Sequence, residues 1–153
     1  RQTAREADDD ALTPPPILRC SPYEDGARMQ INRITGAIVH AAITVHTRLG
    51  PGLFESAYAV CLQYELRKTG LRVQSEVPMP IDYDGVKLSA GYRVDLVVEQ
   101  QVLVELKAVA KLQPVHELQV LSYLRLSGYK VGLLLNFHQE HMRDGIRRFA
   151  NRL

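Results

Sequence analysis

A chain of 153 residues is about one domain's worth of sequence, and with 46% apolar and 24% charged side chains it has the composition of a protein with an ordinary buried core. No apolar run approaches the roughly 18 to 20 residues of a membrane span, and the two cysteines, Cys20 and Cys61, lie in surroundings too dissimilar for a disulfide framework. The formal net charge is +2, yet residues 1–27 carry three basic against six acidic side chains, leaving +5 over residues 28–153, a balance that suits a phosphate-bearing partner without requiring one.

Residues 1–27 combine Asp8-Asp9-Asp10 and Pro14-Pro15-Pro16 with few large apolar side chains, so they are expected to be a flexible leader ahead of one domain at 28–153. Nothing in them resembles a secretory signal, the opening on Arg1 instead of Met leaves room for residues missing or removed upstream, and the expected location is intracellular, in cytoplasm, nucleoid or nucleus. From Arg28 to Leu49, Ile31, Ile34, Ile38, Ala41, Ala42, Val45 and Leu49 recur at helical steps before Gly50-Pro51-Gly52. A second helix is expected over 53–69, with Phe54, Ala57, Tyr58, Cys61 and Leu66 inward and Gly70 at its end. The period then shortens to two. Leu71–Val73 and Met79–Ile81, broken by prolines, read as edge or irregular strands, and Asp84-Gly85 as a turn. Stronger strands follow at 86–98 and 102–108, joined tightly through Glu99-Gln100-Gln101. The expectation continues with a helix at 115–126, a buried strand at 130–137 and a closing helix at 139–153, which together make an α/β domain.

Within the second strong strand, alternation puts Glu105 and Lys107 on the face opposite Val102, Val104 and Leu106. The preceding strand carries Asp95 among Val94, Leu96, Val97 and Val98, and antiparallel pairing across the short turn brings Asp95 toward Glu105. Two acids among so many aliphatics cost several kcal/mol unless something compensates. A divalent cation does so, because hard cations such as Mg²⁺ take one or two carboxylates together with phosphate oxygens. A solvated, same-face Glu105/Lys107 ion pair is the plainer alternative.

An Asp on one strand and Glu-x-Lys on the next, followed by a helix and a strand, resembles the PD-(D/E)XK nuclease superfamily. Gly52, Glu55 and Tyr58 stand at the spacing that names its GxxExxY branch, and Gln119 and Tyr123 resemble the QxxxY element of RecB-like nucleases. Val94 stands where the superfamily usually has proline before the first acid. The resemblance implies a mixed sheet of four or five strands flanked by helices, and hydrolysis of phosphodiester bonds, in DNA ahead of RNA, with Mg²⁺ or Mn²⁺. It implies that Asp95, Glu105 and the backbone carbonyl of Leu106 ligate the metal, that Glu55 adds a further acid, and that Lys107 orients the attacking water. Gln119, Tyr123 and Tyr58 would face substrate, although Tyr58 also suits a core ring. A homodimer would build a longer groove or a partner protein would bring the substrate, and no membrane is implied. The other reading keeps the fold as a nucleic-acid-binding or assembly module without turnover.

On the expected last helix, Arg147 and Arg148 belong to a basic side that is either a phosphate contact or a solvated face. His138 and His141 have no third ligand nearby in sequence for zinc, and His116 is either a helix cap or a phosphate neighbour.

Overall fold

The computed structural model describes residues 22–89 and 91–151, with side chains from residue 26 onward; Cys20, the acidic run and the proline block of the expected leader fall outside the described residues. Helix α1 (Pro22–Leu49) begins inside the segment assigned to the leader. A helix already fixed by packing extends at little cost through residues that bury nothing, and Gly26–Gln30 are all exposed. Farther along, Ile34, Ile38, Ala41, Ala42 and Val45 form the expected buried stripe. Gly50, at φ 67°, ends the helix by donating its N–H to the His46 carbonyl at 2.8 Å.

Helix α2 (Glu55–Lys68) packs back against α1 and buries Tyr58, Leu62 and Leu66. Phe54, expected on its inner side, is instead the N-cap, with extended backbone and 85% of its surface exposed. Because Phe54 precedes the helical path, its ring leaves the stripe, and Leu62, one turn after Tyr58, fills the core.

The strands are β1 (Val73–Pro78), β2 (Ile81–Tyr83), β3 (Val86–Leu88), β4 (Arg93–Val98), β5 (Val102–Lys107), β6 (Val131–Asn136) and β7 (Ile146–Ala150); helix α3 (Pro114–Ser127) crosses between β5 and β6, and a 3-10 turn (Met142–Gly145) leads into β7. The main sheet runs β1-β4-β5-β6-β7, with β5 and β6 parallel and the other pairs antiparallel, while β2 and β3 make a separate hairpin through the Asp84-Gly85 turn. The strand expected over 86–98 is therefore two, interrupted ahead of Arg93 where Gly91 takes φ 74°. Between β4 and β5, Glu99 and Gln100 both adopt positive φ and the Gln101 N–H donates to the Val98 carbonyl at 3.0 Å, the tight turn expected there.

The sheet has helices on both faces. Leu96, Val98, Val104, Leu106, Leu133 and Leu135 pack under α1 and α2, whereas Val94, Val97, Leu103 and Leu134 pack under α3. No described helix is long and apolar enough to cross a membrane.

The closing segment corrects the sequence reading, since β7 replaces the helix expected at 139–153. The outer edge of β6 needs a partner for its backbone groups, and the pairing from Leu135↔Ile146 to Val131↔Ala150 supplies it. A Cβ on Gly145 would run into the Asn136 carbonyl oxygen, so the chain approaches β6 there at a distance only glycine permits. Ile146 then turns toward the α1–α2 core and Phe149 toward the α3 core, which a strand satisfies and a one-sided helix does not.

Candidate active site

Strands β4 and β5 pair from Val98↔Val102 to Leu96↔Val104, and there the ladder ends. Beyond that point side chains take over the work of backbone carbonyls. The Asp95 N–H donates to Glu105 Oε1 at 3.1 Å, and the Leu106 N–H donates to Asp95 Oδ2 at 2.8 Å. The two carboxyl groups are close enough that each acts on the other's ionisation. On the other side of β4 the regular pairing skips the Glu76/Asp95 position, where Glu76 adopts φ 48°. The chain thus opens a fork in the sheet with both acids at its mouth.

Burial sets the electrostatics of the fork. Glu105 is only 3% exposed. Desolvation first, and the neighbouring Asp95 charge second, push its carboxyl up to about 8. Asp95 is raised as well, chiefly by burial, against the opposing pull of the Leu106 N–H and the Lys107 charge. Two carboxyls this close keep one proton between them near neutrality. Lys107 is half-buried at the end of β5, its charge reaches both acids, and none of the ion pairs among the described residues uses it.

On the α2 side, Glu55 opens the helix and lines a cleft of about 420 Å³ with Ser56, Gln63, Glu76, Asp95 and Leu106. The loop that delivers Glu55 is held by Tyr58, whose hydroxyl donates to the Gly50 carbonyl at 2.6 Å and accepts the Leu53 N–H at 3.1 Å. On the α3 side, Gln119 donates to the Tyr123 hydroxyl at 3.0 Å. Tyr123 packs with Val94, Val97 and Leu103 under α3; burial raises its phenol, the Gln119 bond lowers it, and the charges of Glu105 and Asp95 raise it further. Among the described residues, no group of three or more His, Cys, Asp or Glu side chains converges as a ready-made metal cluster. The residues that could hold a metal are the Asp95–Glu105 pair, whose oxygens would suit a hard cation that completes its shell with water and phosphate oxygens.

Several candidates from the sequence stand elsewhere. Tyr58 is fully buried, stacked on Phe137 at 4.4 Å between ring centroids, and both its hydroxyl bonds are internal, so it positions the loop and does not face substrate. Arg147 and Arg148 are neighbours on a strand and so point to opposite faces of the sheet, Arg148 donating to Asn32 at 3.1 Å; the joint basic helix face expected of them is absent. His116 is the helix cap, accepting the Gln113 N–H at 2.9 Å. His141 lines a recess of about 480 Å³ with His46, Thr47 and Arg143, apart from the carboxylate pair.

Two contributors escaped the sequence reading. Fully buried Asn136 accepts the Val109 N–H at 3.1 Å and donates to the Val109 carbonyl at 2.8 Å, tying down the segment just past Lys107. A lone polar residue closing the apolar run Val131–Leu135 is its signal. Glu76, paired with Arg93 at 3.7 Å, adds negative charge beside Asp95, and an exposed edge strand gave no hint of it.

Two acids and a lysine at the open end of a strand pair, within a five-stranded mixed sheet between helices, constitute a nuclease-like α/β fold. The sequence profile of the PD-(D/E)XK nuclease superfamily matches residues 32–149, and the chain belongs to that superfamily. No curated protein and no solved structure matches it.

Proposed function

We propose that this protein is an intracellular, Mg²⁺- or Mn²⁺-dependent nuclease that hydrolyses phosphodiester bonds, in DNA ahead of RNA. The observation that carries the reading is the pair of hydrogen bonds by which Asp95 and Glu105 each cap the other's strand at the fork, with the Lys107 charge reaching both acids and in no ion pair among the described residues. A buried acid pair burdened with a shared proton is relieved when a cation takes the proton's place. Asp95, Glu105 and the Leu106 carbonyl would hold that cation, and Glu55 would reach it through water from the far wall of the cleft. Bound there, the metal supplies a water of lowered pKa and neutralises charge on the phosphoryl oxygens. Lys107 orients the attacking water and offsets developing negative charge. Gln119 and Tyr123 hold the phosphate strand against α3. Gly52, Glu55 and Tyr58 support assignment to the GxxExxY branch, and the free thiol of Cys61 suits a reducing compartment.

The test is a panel of single-stranded DNA, duplex DNA and RNA, each incubated with Mg²⁺, with Mn²⁺ and with chelator. Cleavage that appears with metal and vanishes with chelator is the expected result. Tight binding without cleavage under every metal condition would reassign the protein to a binding module without turnover.

A further inference from the structure

Phe54 and Tyr92 are exposed aromatic rings that the core does not account for, Phe54 at the start of α2 on one face of the sheet and Tyr92 against Tyr123 of α3 on the other. Phe54, at 85% exposure, is the most exposed large apolar side chain among the described residues. It occupies the N-cap of α2, a position favouring Ser, Thr, Asp or Asn, and makes no capping hydrogen bond. The sequence therefore gives up both burial and a cap at this site. The backbone beneath it is rigid nonetheless. The neighbouring Leu53 N–H is held by the Tyr58 hydroxyl, and the Phe54 carbonyl accepts the Ala57 N–H at 3.1 Å. Phe54 borders a recess of about 390 Å³ together with Leu53, Glu55, Ser56 and Ala108, so it shares that recess with the cleft acid and with the residue that follows Lys107.

Across the fork, Tyr92 is 49% exposed and meets the Tyr123 ring edge-on at 6.5 Å between centroids. It lines a second recess, of about 330 Å³, whose walls include Pro78, Met79, Pro80 and Arg93. A half-exposed ring beside prolines at an open recess suits a nucleobase laid flat against it.

We infer that Phe54 and Tyr92 each stack an unpaired base on either side of the scissile phosphate, and that the substrate is therefore single-stranded or splayed nucleic acid. This rests on the nuclease reading for the location of the scissile phosphate. A base within a duplex already has both π faces covered by its neighbours and offers none to a protruding ring, whereas an unpaired base offers either face. Two such rings around one acid site consequently select for strands that are already open.

The experiment measures binding of fluorescent oligonucleotides, single-stranded and blunt duplex, to the whole protein in chelator, so that no turnover is needed. Phe54→Ala and Tyr92→Ala are each expected to weaken single-strand binding about tenfold and to change duplex binding far less. Phe54→Trp and Tyr92→Phe, which keep a stacking face, are expected to bind as the parent does. Phe54→Ala should melt with the parent because its ring is largely in solvent, which keeps the result interpretable even if Tyr92→Ala loosens the Tyr123 contact. Unchanged single-strand affinity in both alanine variants overturns the inference, and so does an equal loss on single strand and duplex. A shift from dimer to monomer in Phe54→Ala with single-strand affinity intact also overturns it, by assigning the ring to a protein contact. Loss of single-strand affinity in a protein that cuts nothing upholds the stacking role while the nuclease reading falls.

Discussion

At the scale of single residues, Lys107 and Tyr58 separate chemistry from scaffolding. Lys107 has no ion-pair partner among the described residues and stands beside two acids that already form hydrogen bonds of their own. Lys107→Ala should therefore leave divalent-metal binding nearly intact and slow cleavage by about a hundredfold or more, as removal of a charge that steadies the transition state does. Steady-state rates with metal titrations check this, and unchanged turnover would make Lys107 an ordinary surface charge. Tyr58→Phe keeps the stack on Phe137 but strands the Gly50 carbonyl and the Leu53 N–H. The expected loss is about 1–3 kcal/mol in chemical denaturation, with cleavage falling through misplacement of Glu55. A variant as stable as the parent would show that the loop holds its shape without the hydroxyl.

At the scale of elements, what sequence can reveal depends on whether local pattern and tertiary demand agree. The α1 stripe agrees, because its spacing is helical and its partner is a broad apolar face. So does the turn at Glu99 and Gln100, and with it the antiparallel approach of Asp95 to Glu105. Phe54 escapes such reading because one residue of offset at a helix start separates an inward ring from an outward one. Strand β7 escapes for a different reason: Ile146-Arg-Arg-Phe149 fits either period, and the decision lies in the unpaired edge of β6 and in the approach of Gly145 to Asn136. Gly145→Ala tests that account. The new methyl has backbone on one side and cannot push it away, so a loss of about 1–3 kcal/mol or more is expected. Because Asn136 also anchors Val109, cleavage should fall too. An alanine variant that melts with the parent would mean that β7 docks without this close approach.

At the scale of the whole molecule, the acid pair ties stability to pH and, on the proposed function, to metal. Glu105 binds its proton more tightly in the folded protein, up to about 8 against 4.5 for a free carboxyl, so the folded state retains a proton that the unfolded chain releases. Its contribution is fully present below about pH 4.5 and is lost as pH rises through about 8. Glu99 runs the other way. The Arg72 N–H and guanidinium lower its carboxyl, so its contribution fades only at more acidic pH and leaves this window untouched. In chelator, Tm should therefore fall between pH 4.5 and 8, each kcal/mol amounting to roughly 2–4 °C in a chain of this size. Millimolar Mg²⁺ or Mn²⁺ should restore the loss by binding only the folded state. Asp95→Asn, which removes the like charge and keeps an acceptor, should melt no lower than the parent in chelator, show a flatter pH profile and gain nothing from metal. A clearly destabilised Asp95→Asn beside a parent indifferent to metal would refute the metal assignment.

Because Asp95 and Glu105 accept N–H groups at the point where the β4–β5 ladder gives out, a small apolar residue at either position leaves a donor stranded inside the protein. Asn and Gln keep an oxygen in the same place, and each lies a single nucleotide change from its acid. A lineage released from selection for catalysis therefore drifts along a narrow corridor, from acid to amide, and keeps the outline of its site after the chemistry has gone. If the proposed chemistry is lost in a descendant, amides are expected at these positions ahead of alanines, and an alanine there should come with rebuilt strand ends.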